Sequence, residues 1–216
     1  QIPDKQDIGV VLSETGFSEF FTVSDIISIL KCTYKRFDED LFHSYCQRFD
    51  IPLDKKTRTF STGMKAKLNI IIALTHHAQL LILDEPTAGL DVLTRDEILD
   101  ILRDYMEQED CTILISSHIS SDLESLCDDL YVIDHGQIIM HEEMDTLLSQ
   151  YGVLKVSKED YDNLDKDYLL EVMKEPFGYS CLTNVRQFYS ENYPTIVIEQ
   201  NHIDTLIPIL LKGERL

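Results

Sequence analysis

Hydrophobic positions along the chain switch repeatedly between two spacings. Residues 8–13 (IGVVLS) are a short apolar, β-branched run that reads as a buried strand. Over 22–34 the spacing becomes helical, with Ile26, Ile27 and Leu30 on one face and Thr22 or Ser24 placed to cap it. The same signals predict a helix over 38–49, capped by Asp38. A loop follows, with Pro52 and the basic stretch 54–58, and then a helix over 61–77 that starts at Ser61. LLIL (80–83) is strand, 93–109 a long amphipathic helix, 111–117 strand and 120–128 helix. Residues 130–141 read as a hairpin turning near His135 and Gly136. Helices alternating with buried apolar strands imply an α/β fold with a parallel sheet.

Composition shifts near Tyr151 and Gly152, so the expected domains are 1–151 and a small α+β appendage, 152–216. In the appendage, 153–156 and 195–200 look like strands and the acidic stretches look helical. Residues 203–212 look like a helix interrupted by Pro208.

Charge narrows the partners. Against 19 Lys and Arg stand 39 Asp and Glu, a formal net charge of −20, which repels nucleic acid and anionic headgroups. The five cysteines (Cys32, Cys46, Cys111, Cys127, Cys181) are widely spaced and include no CxxC, as expected of free thiols in a reducing compartment. No apolar run approaches the roughly 18 residues of a membrane span, and no signal peptide is evident. The expected location is cytoplasmic. The chain starts at Gln1 rather than Met, as expected of a processed product or a piece of a longer protein.

Candidate chemistry gathers at 79–91, QLLILDEPTAGLD. A buried strand that ends in Asp84 and Glu85 places two carboxylates at the carboxyl edge of a parallel sheet, where open α/β sheets bind ligands. Asp84 is suited to Mg²⁺, which favours carboxylate and phosphate oxygens, and Glu85 to taking a proton from an attacking water. Taken alone, such acids are more often solvated or cap the next helix. Three neighbours change that balance. FSTGMKAKL (60–68) sets Ser61, Thr62 and Gly63 at a helix start, which favours an anion. AGLD (88–91) follows the strand directly, and ILISSH (113–118) puts His118 just beyond the next strand.

In this order these segments resemble the nucleotide-binding domain of ABC transporters, over roughly 8–150. FSTGM (60–64) resembles the signature, usually LSGGQ; LLILDEP (80–86) the Walker B strand; AGLD the D-loop; SSH (116–118) the switch histidine. The resemblance implies an ABC ATPase core, of the P-loop NTPase type, with a helical subdomain and a parallel sheet. It implies ATP and Mg²⁺ as cofactors, with Asp84 serving Mg²⁺, Glu85 polarising the attacking water and His118 contacting the γ-phosphate. Ser61, Thr62, Gly63 and Met64 would meet ATP held by the opposite subunit of a head-to-tail dimer, and Asp91 would communicate across it. A separate transmembrane permease is implied, with the chain peripheral on the inner face of the cell membrane. The tail is similar to those of exporter-type, antibiotic-resistance-like ATPases, which points to export.

The chain departs from the family pattern in three places. Thr62 and Met64 replace the usual signature Gly and Gln. Ser13 or Glu14 stands where the Q-loop Gln is usual. No G-x-x-x-x-G-K-[ST] occurs in the 216 residues. The expectations are therefore that the chain lacks the N-terminal Walker A part, binds ATP weakly alone, and either associates with another chain or rearranges its sheet. Two alternatives remain open: a soluble ABC ATPase of DNA repair or the ribosome, which the acidity and the lack of heptads disfavour, and a catalytically dead interaction fragment.

Overall fold

In a computed structural model, residues 5–12, 16–107, 110–199 and 202–215 are described. The chain forms two compact units that divide between Ile119 and Ser120.

The first unit contains β1 (Ile8–Val11), α1 (Val23–Thr33), α2 (Glu39–Arg48), α3 (Thr62–Leu74), β2 (Leu80–Asp84), α4 (Val92–Met106) and β3 (Thr112–Ser116). Its caps are those the sequence offers. Thr22 and Asp25 form a reciprocal capping box on α1, and Asp38 caps α2. The strands form a parallel sheet in the order β1-β2-β3, with Val11 beside Leu83 and Asp84 beside Ser116. Leu81 and Leu83 of β2 are fully buried, as are Ile71 of α3 and Ile98, Ile101 and Leu102 of α4. Burying each such side chain contributes about 1.5–3 kcal/mol. Val10 and Leu114 stay half or more exposed, and among the described residues β3 pairs only with β2.

The second unit contains α5 (Ser120–Leu126), β4 (Asp129–Asp134), β5 (Gln137–Glu143), α6 (Met144–Gln150), β6 (Gly152–Val156), α7 (Lys158–Asn163), β7 (Leu169–Glu175), β8 (Gly178–Thr183), α8 (Arg186–Asn192), β9 (Val197–Glu199), α9 (Ile203–Lys212) and β10 (Glu214–Arg215). Strands β4 and β5 make the expected hairpin. The other five form an antiparallel sheet in the order β10-β7-β8-β6-β9. Leu130 and Val132 of the hairpin and Met144 and Leu147 of α6 share one core with Val153, Leu182, Ile203 and Ile209. The composition boundary at 151/152 thus falls inside this compact unit, because the hairpin buries its apolar side with the appendage.

Two readings of the appendage are corrected. The acidic tail contains short helices α7 and α8, but Leu169–Glu175 and Gly178–Thr183 form a hairpin. Good helix formers there are held extended by pairing on both sides of β8. Helix α9 spans the expected Ile203–Lys212 and runs through Pro208 without the expected interruption. Ile203, Leu206 and Ile209 are buried on one face, and that packing outweighs the hydrogen bond Pro208 removes.

His76 ties α3 to β1. It is 2% exposed, with Nδ1 3.2 Å from the Ile72 carbonyl and Nε2 3.1 Å from that of Ile8. The ring stacks on Tyr34. Burial pushes its pKa below the ordinary histidine value, and it outweighs the two carbonyls, which favour the cation. The folded state thus prefers neutral His76, so its contribution is full above the ordinary histidine pKa and is lost as pH falls through the depressed value. Melting temperature should drop as pH falls below the ordinary histidine pKa of about 6.5, and His76→Gln should flatten that slope. An unchanged slope in the variant would remove His76 from the account.

Candidate functional site

The parallel register sets Asp84 beside Ser116 at the carboxyl end of the sheet. The chain leaves β2 through Glu85 at φ 50°, a left-handed conformation that costs a non-glycine residue about 1–2 kcal/mol. Its N–H donates to the Ser116 carbonyl at 3.0 Å and lies 3.3 Å from the Ser116 hydroxyl. That hydroxyl donates to Asp84 Oδ1 at 2.7 Å. The Glu85 side chain meets His118, with Nδ1 2.6 Å from Oε2. Because a carboxylate only accepts, Nδ1 carries the proton here. Glu85 is 30% exposed and His118 68%, so both are reachable from solvent.

A second group forms at the start of α3. The Ser61 hydroxyl accepts from the Met64 N–H at 3.2 Å. Asp91 caps α4, accepting from the Thr94 N–H at 3.1 Å and its hydroxyl at 2.9 Å. Those hydrogen bonds hold the Asp91 carboxyl below the usual carboxylate range. The bend before it uses Gly89 at φ +70°. A Cβ at Gly63 would lie 3.0 Å from Thr94 Cγ2, so the bare backbone there lets α3 approach α4. Ser61, Thr62, Gly63, Met64 and Asp91 line a concavity of about 370 Å³ together with Lys67 and Thr94. Lys67 pairs with Glu97 and lies over the Phe49 ring.

The sequence candidates thus fall into two groups: Asp84, Glu85 and His118, and then Ser61 to Met64 with Asp91. Ser13 and Glu14 lie outside the described residues. Ser116, Lys67 and Thr94 were not among the candidates. Thr94 had a readable signal, three residues after a capping Asp, whereas the role of Ser116 needs the strand order.

Among the described residues, no group of three or more His, Cys, Asp or Glu side chains is placed to hold a metal ion. Mg²⁺ does not require one, since it is held through one or two carboxylates plus phosphate and water. Exposed Asp84, oriented by Ser116, fits that donor set. No helix among the described residues is long and apolar enough to cross a membrane.

Residues 24–121 match the family described as "AAA domain, putative AbiEii toxin, Type IV TA system". The fold is that of ABC ATPase subunits: a solved ATP-binding subunit of an ABC transporter superposes with a TM-score of 0.59 at 23% identity, covering 68% of this chain and 62% of that one. Sequence relatives make the chain a homologue of ABC transporter ATP-binding proteins, including antibiotic and lantibiotic transport types. YtrB of Bacillus subtilis, an ABC transporter ATP-binding protein, is 29% identical over 160 residues, 74% of this chain and 55% of YtrB. The lantibiotic transport ATP-binding protein SrtF of Streptococcus pyogenes is 45% identical over 94 residues, 43% of this chain and 41% of SrtF. The chain spans about half the length of these curated relatives.

Proposed function

We propose that the chain provides the acid pair, switch histidine and signature of an ATP-hydrolysing subunit that powers an ABC transporter. One observation carries the reading: Glu85 and His118 meet at 2.6 Å beside Asp84, at the carboxyl end of a parallel sheet. Glu85 takes a proton from the water that attacks the γ-phosphorus, and the bond to the ADP oxygen breaks. Asp84 holds Mg²⁺, which neutralises phosphate charge. His118 contacts the γ-phosphate, and the α3 N-terminus offers N–H groups to phosphate oxygens of the ATP on the opposite subunit. The ATP reaching Ser61, Thr62, Gly63 and Met64 sits on a second ATP-binding subunit, and Asp91 lies at that contact. The reading includes a separate membrane permease and export as the direction; the transport role in the names of SrtF and YtrB supports the link to a transporter.

Calorimetry of Mg-ATP against the chain, followed by sedimentation with a second ATP-binding subunit, tests this. We expect affinity weaker than about 1 μM alone, and pairing that requires ATP and is lost in Ser61→Glu. Tight binding by the chain alone would overturn the division of labour. Pairing unaffected by Ser61→Glu would overturn the role of the signature.

A further inference from the structure

The Ser116 side chain touches both halves of the acid pair. Its hydroxyl has a single proton, which goes to Asp84 Oδ1 at 2.7 Å. Its oxygen lies 3.3 Å from the Glu85 N–H, which also donates to the Ser116 carbonyl at 3.0 Å. One residue of β3 therefore fixes the rotation of the Asp84 carboxylate and helps hold Glu85 in its left-handed turn. Two residues later the same strand end delivers His118 to the Glu85 side chain.

We propose that Ser116 is a positioning residue that sets the divalent-cation affinity of Asp84, an inference that rests on the reading of Asp84 as the cation ligand. The parallel register puts Ser116 and Asp84 side by side on neighbouring strands, so the hydroxyl reaches the carboxylate from a rigid element. A carboxylate held this way presents its remaining lone pairs in one orientation. Without the hydroxyl it rotates, and the cation must order it on binding. Hydrogen-bond partners of metal ligands are typically worth about 10–100-fold in metal affinity. Threonine retains the hydroxyl and suits a strand, whereas alanine removes it with little change of volume.

The test is titration of the full chain with Mn²⁺ alone, followed by electron paramagnetic resonance, for wild type, Ser116→Ala, Ser116→Thr and Asp84→Asn. Melting temperatures are measured alongside. Ser116→Ala should weaken Mn²⁺ binding about 10-fold or more, Ser116→Thr should bind as wild type, and Asp84→Asn should lose the site. Wild-type affinity in Ser116→Ala, with the site lost in Asp84→Asn, overturns the role of Ser116 alone. A Ser116→Ala variant that melts lower yet binds Mn²⁺ normally does the same, since it reveals only a structural contact. Unchanged binding in Asp84→Asn overturns the cation reading of Asp84, and the inference about Ser116 falls with it.

Discussion

On the proposed reading, Glu85→Gln should lower ATP turnover by about 10²–10⁴-fold, the range a general base contributes. Glutamine keeps the size and shape of the side chain. The backbone N–H of residue 85 keeps its partner on Ser116, so the turn survives. A glutamine carbonyl still accepts from His118 Nδ1, so the contact now at 2.6 Å persists in weaker form. What disappears is the capacity to take a proton. Melting temperature should stay near that of the wild type, because Glu85 and His118 are both partly exposed and such a pair contributes little to stability. Turnover is measured as phosphate release at saturating ATP. A fall of less than about tenfold would mean that the proton goes elsewhere and that Glu85 only orients His118.

The acid pair was legible in the sequence because it depends on local order. A run of apolar residues ends, two acids follow, and the parallel sheet carries them to its edge. The cap at Ser61 and the turn into Asp91 are local in the same way, as Ser61 accepts from Met64 and Asp91 from Thr94. Ser116 was not legible, because its partner is 32 residues away and pairing depends on which strand lies beside β2. The hairpin of β7 and β8 was missed for a related reason. Leu169–Glu175 carries residues that suit a helix, and only the flanking strands make it extended. The division between Ile119 and Ser120 also lies beyond local signals. Leu130 and Val132 look alike whichever core takes them, and it is Val153, Leu182 and Ile203 that complete theirs.

Gly178→Ala should destabilise the second unit by about 4 kcal/mol, combining backbone strain with overpacking. Gly178 begins β8 at φ +154°, a region that is essentially glycine-only. A Cβ there would stand 2.0 Å from the Val156 carbonyl oxygen at the end of β6. Backbone meets a new atom at that point, so no side-chain rotation relieves the overlap, and β8 must move away from β6. The two strands pair Leu154 with Cys181 and Val153 with Leu182, and all four side chains are buried. Cys181 belongs to one core of the unit and Leu182 to the other, so β8 displacement loosens both faces of the sheet. The loss should appear as faster hydrogen exchange at the Cys181 and Leu182 amides, while Leu81 and Leu83 of β2 keep their protection. Protected β8 amides and a stability change below about 1 kcal/mol would show that the turn at Pro176 and Phe177 absorbs the new methyl by reshaping, and that the pairing of β6 with β8 does not depend on a bare backbone at this position.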